Sequence, residues 1–281
     1  MLVELAVGDA YGAGFEYVSA LILKHNNLSS YIQHPKHSTR PGQYTDDTQM
    51  SLAIAEAIVS EDAWTPESLA NRFVEVFHRD PRKGYASRFY DFLQQTQTGQ
   101  EFLNNIRPNS DRSGAAMRAS PIGIFSSLDE VIEKAAIQAR ITHDTSAGIA
   151  AAQAAALMTH YFLYNLGQKS VLGDFLDTQI PGYQWAKTWK GKVGAQGWMS
   201  VRAAITAVSR NASMSQVLID SVNFGGDVDT VATIALAAAS CSHEISQDLP
   251  QHLLDGLENG EYGRDYIHKL DARLLAKRWF S

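Results

Sequence analysis

The sequence predicts an all-α fold, a compact orthogonal helical bundle. Three observations carry this. Apolar residues recur at three- and four-residue spacing along most of the chain. There is no sustained alternation, and no Asn-Gly or Asp-Gly turn lies between β-branched runs. Small residues crowd the apolar segments, as from Ala150 to Ala156 and from Ala235 to Ala239, and small faces let helices approach closely.

The elements follow in order. Gly8 to Glu16 close a small-residue N-terminal helix. In the helix over 50–59, Leu52, Ala55 and Val59 fall on one face. Thr65-Pro66-Glu67 is a helix start, with a cap, a proline at the first helical position and an acid in the first turn. Leu69, Phe73, Val76 and Phe77 continue it. Ser127 with Glu130 makes a capping box before Val131, Ala135 and Ala139. Residues 144–166 read as one long helix stopped near Gly167. Further helices are expected at about 198–210, 213–223, 229–241 and 261–277. Residues 29–43, 96–113 and 177–197 read as loops, all near the motifs below, so they are expected to form a cleft.

The 281 residues allow one large domain or two small ones. No composition break or Pro/Ser-rich linker divides them, so a single domain over 1–281 is expected. The net charge is −6 and no Lys/Arg run makes a basic patch, which argues against a nucleic-acid binder. Acidity does not exclude an anionic substrate, because bound metal ions reverse local charge. A single cysteine, Cys241, allows no intramolecular disulfide and fits a reducing compartment. The first nine residues have no basic lead and include Glu4, unlike a signal peptide. The apolar tract 147–166 holds Gln153, His160 and Asn165, which suits a buried helix better than a membrane span. A soluble, cytoplasmic protein without a membrane partner is expected.

Two clusters carry the chemistry. Thr45-Asp46-Asp47-Thr48 opens one apolar helix, and Asp227-Val228-Asp229-Thr230, after Gly225-Gly226, opens another. Either could be plain helix capping. Capping needs one oxygen, however, and adjacent carboxylates repel unless a cation compensates them. Buried acids need a partner, and neither motif contains Lys or Arg. Thr45, Asp46, Asp47, Asp227, Asp229 and Thr230 offer hard oxygen, which favours Mg²⁺ or Mn²⁺ over Zn²⁺. The number of carboxylates suggests two divalent ions. Ser113-Gly114-Ala115-Ala116-Met117-Arg118 and Gly225-Gly226 could receive a diphosphate, or could be ordinary turns. His143 could bind substrate or sit beside a cap, and Glu16 could be functional or a solvated loop acid. Tyr183, Trp185, Trp189 and Trp198 could stack on an adenine or serve as buried anchors.

In this order the motifs resemble the ADP-ribosylglycohydrolase family, the relatives of the dinitrogenase-reductase-activating glycohydrolase. The resemblance runs from about Val7 to Ala239. It rests on Gly8-Asp9-Ala10 with Glu16, Thr45-Asp46-Asp47-Thr48-Gln49-Met50, Gly114-Ala115-Ala116-Met117-Arg118, Thr142-His143 and Gly225-Gly226-Asp227-Val228-Asp229-Thr230. It implies a compact all-α fold with a dinuclear Mg²⁺ or Mn²⁺ site in a central cleft. It carries metal ligation onto Thr45, Asp46, Asp47, Asp227, Asp229 and Thr230. It carries a catalytic or substrate-gating role onto Glu16. It sets the phosphates and distal ribose near Ser113-Gly114 and the Gly225-Gly226 turn, with Met117 and His143 beside the ligand. Two positions depart from the family pattern. Ser113 stands where Asn is usual, among ligand contacts, and Val228 stands where Thr is usual, leaving every metal oxygen in place.

The implied function is metal-dependent hydrolysis of the glycosidic bond between ADP-ribose and a modified side chain or small acceptor. The partner is then an ADP-ribosylated protein or small conjugate, with nucleic acid only as a modified substrate. Glu16, Asp47 and Asp229 form the candidate catalytic set, and the sequence does not choose the base among them. Two alternatives are a catalytically weak or inactive ADP-ribose-binding protein on the same scaffold, and a two-metal phosphoester hydrolase.

Overall fold

The computed structural model describes residues 1–279. Fifteen α-helices run through the described residues, and pairing between strands is limited to isolated bridges. The all-α expectation therefore holds. Helix α1 is Leu2–Gly12, α2 Ser19–His25, α3 Asp46–Val59, α4 Pro66–Arg79 and α5 Ser87–Gln95. Then come α6 Gly99–Asn105, α7 Gly114–Met117, α8 Leu128–Arg140, α9 Ser146–Leu163 and α10 Leu172–Gln179. The last five are α11 Gly197–Arg210, α12 Met214–Asn223, α13 Val228–Ala239, α14 Gln251–Gly256 and α15 Arg264–Ala276.

Helix α13 lies at the centre. It is buried along its whole length and packs against α1, α3, α9, α11 and α12. Its uniformly apolar sequence follows from that surrounded position. The closest partner is α1. A side chain at Gly8 would place its Cβ 2.6 Å from the Ala232 carbonyl oxygen, and one at Gly12 would lie 2.5 Å from the Asp229 Cα. Glycine at these two positions lets the backbones touch, and Gly12 presses the end of α1 onto the start of α13. That contact carries Glu16, four residues further on, toward the second acidic cluster.

The caps read from sequence are present. Thr65 accepts a bond from the Ser68 amide at the start of α4, and Ser127 accepts one from Glu130 at the start of α8. Helix α9 ends at Leu163, short of the expected 166, because Asn165 adopts φ 53° and turns the chain before Gly167. Helix α3 starts at Asp46 and not at Met50, so the first acidic cluster forms its first turn. Helices α2, α5, α6, α10 and α14 were not expected. They are 6–9 residues long, and each buries at most three residues, too few for a period to show. Glu56 is a buried acid within α3. It pairs with Arg79 and accepts the Tyr266 hydroxyl at 2.7 Å, so it ties α3 to α4 and α15. Among the described residues no helix is long and apolar enough to cross a membrane.

The α1–α13 contact gives a stability test. Gly8→Val should cost about 1–3 kcal/mol through overpacking against the Ala232 carbonyl. The expected reading is a lower urea midpoint with an unchanged slope; an unchanged midpoint would mean the two helices are not held this closely.

Candidate active site

The site starts at the N-terminus of α3. Asp9, the acid in the last turn of α1, is fully buried and reaches across to that helix start. Its carboxylate accepts four bonds: the Thr45 amide at 2.8 Å, the Thr45 hydroxyl at 2.7 Å, the Thr48 amide at 3.0 Å and the Thr48 hydroxyl at 2.6 Å. Thr45 in turn accepts the Asp47 amide at 3.4 Å. Capping of α3 is therefore done by Asp9 and Thr45, and the Asp46 and Asp47 carboxylates take no part in it. At α13 the N-cap residue is Asp227, and its side chain makes no cap bond. Capping thus leaves four carboxylates unexplained.

These four converge. Asp46, Asp47, Asp227 and Asp229 are all buried. One carboxylate oxygen from each of Glu16, Asp227 and Asp229 lies within 4.8 Å of the others. The Thr230 hydroxyl lies beside both Asp47 and Asp227 and draws both carboxyls down, which links the two clusters. Asp47 Oδ1 and Asp229 Oδ1 are buried without a hydrogen-bond partner among the described residues. Lys and Arg form no ion pair with any of these five acids among the described residues. The nearest basic group is the exposed His37, whose Nε2 is 4.0 Å from Glu16.

The electrostatic result is a set of carboxyls that resist ionisation together. Burial first, then Asp9 and Glu16, raise Asp46 well above the usual carboxylate range. Burial, Asp46 and Asp9 raise Asp47, and burial, Glu16 and Asp227 raise Asp229. Asp227 is raised by burial and drawn partly back by bonds from its neighbours, Ser113, Thr230 and Ser200 among them. Glu16 is pushed up to about 7 by burial and by the nearby Asp227 and Asp9. Hard oxygen donors, orphaned oxygens and mutual repulsion are what a divalent-cation site presents before it is filled. The residues therefore fit such a group.

The acids open onto a cleft of about 810 Å³, a size suited to a nucleotide-sized ligand. Its walls are loops held in register by isolated bridges: Asn109 with His143, Arg112 with Gln196, and Val193 with Gly226. Gly226, at φ 94°, has no room for a side chain beside the Val193 carbonyl, and its own carbonyl accepts the Tyr17 amide at 2.9 Å. That bond fixes the turn carrying Glu16 against the α13 start.

Of the residues expected from sequence, Glu16, Asp46, Asp47, Ser113, Gly114, Met117, His143, Asp227, Asp229 and Thr230 line the cleft. Thr45, Gly225 and Gly226 adjoin lining residues without lining the cleft themselves. Ser113 was read as a ligand contact, and its side chain also lies beside Asp227 and draws that carboxyl down. Trp185 is a buried anchor whose indole donates to the Ile180 carbonyl at 2.7 Å, and Tyr183 stacks on it. Trp189 and Trp198 meet edge to face; none of the four lines the cleft. The aromatic wall consists of Tyr85, Phe89 and Phe92, with exposed Arg88, Arg107 and Arg112 at the rim. No distinctive pattern marked that wall in the sequence. For Asp9 a signal was present: an acid set among the small and apolar residues of Ala6 to Ala10 needs partners.

A family model described as ADP-ribosylglycohydrolase matches residues 1–280. The ADP-ribosylhydrolase ARH3 of Xenopus tropicalis is 25% identical, covering 98% of this chain and 95% of that one. The ADP-ribosyl-[dinitrogen reductase] glycohydrolase of Rhodospirillum rubrum is 26% identical, covering 96% and 92%. The ADP-ribosylarginine hydrolase Tri1 of Pseudomonas putida is 22% identical, covering 99% and 81%. A solved structure titled "ADP-ribosylglycohydrolase-related protein complex" superposes with a TM-score of 0.70 at 20% identity, covering 99% of this chain and 96% of that one, which shows the shared fold.

The raised carboxyls fix the sign of a pH effect. Their folded values lie above the unfolded range near 4, so ionisation costs the folded state more than the unfolded one. Stability from this cluster is fullest below about pH 4 and is lost as pH rises through the folded values, Glu16's being about 7. In chelator the melting temperature should fall from about pH 5 to about pH 8, and Mg²⁺ or Mn²⁺ should restore more at the higher pH. A flat profile indifferent to both cations would contradict this.

Proposed function

The chain belongs to the ADP-ribosylglycohydrolase family, and from that membership and the acidic cleft we propose that it is a divalent-cation-dependent hydrolase of ADP-ribosyl bonds. The bond cut joins the distal ribose to a modified side chain or a small acceptor. The observation that carries the proposal is the convergence of acids from two distant helix starts and Glu16 on one cleft without a basic counter-charge.

Asp46, Asp47, Asp227 and Asp229, with the Thr45 and Thr230 hydroxyls, would hold two Mg²⁺ or Mn²⁺ ions. When bound, such cations supply Lewis acidity that orients ribose hydroxyls and makes water a better nucleophile. The chain's own residues do the rest. Asp9 accepts the hydrogen bond that the Thr45 hydroxyl donates, which leaves the lone pairs of that oxygen pointing elsewhere. Glycosidic cleavage builds oxocarbenium-like charge at the ribose C1, and a cleft lined by carboxylates favours that charge. Glu16, raised to about 7 and partly open to the cleft, is poised to take or return a proton near neutral pH. The rim guanidiniums of Arg88, Arg107 and Arg112 suit a diphosphate, and the wall of Tyr85, Phe89 and Phe92 suits a purine ring.

The experiment is a panel of arginine-, serine- and base-linked ADP-ribose and O-acetyl-ADP-ribose, assayed with Mg²⁺, Mn²⁺ or EDTA. ADP-ribose release from at least one substrate, abolished by EDTA, is expected. Asp229→Ala should lower it by at least about 100-fold, and Glu16→Gln by about 10²–10⁴-fold at unchanged cation affinity. Undiminished release by Asp229→Ala would reject the assignment. Tight ADP-ribose binding without turnover at saturating cation would replace it with a binding protein.

A further inference from the structure

Arg118 is a cation buried almost completely at the end of α7, and no carboxylate pairs with it among the described residues. Its Nε donates to Gln138 Oε1 at 2.6 Å, and Nη2 donates to the Gln138 carbonyl at 3.0 Å and to Thr142 Oγ1 at 2.8 Å. Its guanidinium carbon lies 4.5 Å above the Phe73 ring. Gln138 is held in turn, its amide donating to the Ala115 carbonyl at 2.9 Å. The charge is thus fixed in place, one hydroxyl away from His143.

The next link is short. Thr142 Oγ1 is 2.7 Å from His143 Nδ1. A guanidinium only donates, so Thr142 Oγ1 accepts from Arg118. The hydroxyl has one proton, and His143 Nδ1 is its one acceptor among the described residues. If Nδ1 carried a proton, it and Arg118 would both donate to Oγ1, and a buried hydroxyl proton would be left without a partner. Every group is satisfied in one arrangement only: Thr142 donates to a bare Nδ1, and the imidazole proton sits on Nε2. No bond from Nε2 to a described residue exists. The Cε1–Nε2 edge lies against Gly114, where a Cβ would come 2.9 Å from Cε1 and 3.2 Å from Nε2, and both residues line the cleft.

We infer that Arg118 and Thr142 are positioning residues that fix His143 as the neutral Nε2–H tautomer, a permanent hydrogen-bond donor on the cleft wall. Two consequences follow. His143 has no free lone pair, so it is neither a cation ligand nor a base. It recognises an acceptor oxygen and holds that role across the physiological pH range. Burial and the Arg118 charge act in the same direction, holding the imidazolium down to about 3. That the acceptor is a ribose or phosphate oxygen rests on the proposed function; the tautomer does not.

The test is a long-range proton–nitrogen correlation spectrum of the ¹⁵N-histidine-labelled full chain, without ligand, from about pH 5.5 to pH 8.5 around the usual histidine value. The His143 signals are identified by their loss in His143→Gln. The expected spectrum has unprotonated Nδ1 and protonated Nε2 throughout. Thr142→Val should give mixed tautomers and a pH-dependent shift, and Thr142→Ser should restore the single form. A protonated Nδ1 in the wild type, titration near the ordinary histidine value, or a Thr142→Val spectrum identical to wild type would overturn the inference. If Thr142→Val does not fold, the wild-type spectrum decides alone. Turnover measured on the same samples separates the two claims, because a single Nε2–H tautomer without hydrolysis would sink the proposed function and leave the relay standing.

Discussion

The arrangement depends on one electrostatic constraint: several carboxylates are buried side by side at the starts of two apolar helices, and no basic side chain among the described residues neutralises them. Ionised acids in that position repel each other and lose solvation. A fold keeps such a cluster only if its backbone is fixed by something else. Here the fixing is done by Asp9, whose four bonds hold the first turn of α3. Gly8 and Gly12 do the same for α1 against α13. The acids are therefore held near one another by groups that do not share their charge. Divalent cations are the partners that such a cluster of hard oxygens suits.

The cleft extends this plan with loops. Because bridges at 109/143, 112/196 and 193/226 tie the loops together, their side chains face a common space without belonging to one element. Acids occupy part of the lining, aromatic rings another, and guanidiniums the rim. His143 adds a neutral donor to this lining, its proton position set by Thr142 and Arg118. The site therefore combines charge, ring surface and a directional donor, which together suit a nucleotide sugar.

Much of this was legible in the sequence. The helices around the centre, α3, α4, α8, α9, α11, α12 and α13, carry long apolar faces or strong caps, and tertiary packing reads the same pattern. Short helices such as α5 and α6 bury too little to show a period, so residues 96–113 read as loop while α6 sits inside them. The acids of both clusters stood out because two carboxylates and a hydroxyl at one helix start exceed what capping requires. What capping actually uses was less legible: the capping carboxylate of α3 is Asp9, more than thirty residues away, and only the close α1–α3 contact brings it there. Likewise the cleft's aromatic wall comes from residues 85–92, while the conspicuous tryptophans of 185–198 pack into structure. Local pattern shows which residues need partners; long-range packing decides which partners they get.

The most direct test of the central claim is diffraction from crystals grown with Mn²⁺, recording anomalous scattering at the manganese edge. The account expects peaks bounded by Asp46 and Asp47 on one side and Asp227 and Asp229 on the other, and their loss in Asp229→Ala. A map at full manganese occupancy of the crystal solution with no peak among these carboxylates, or with a peak only elsewhere, would contradict it.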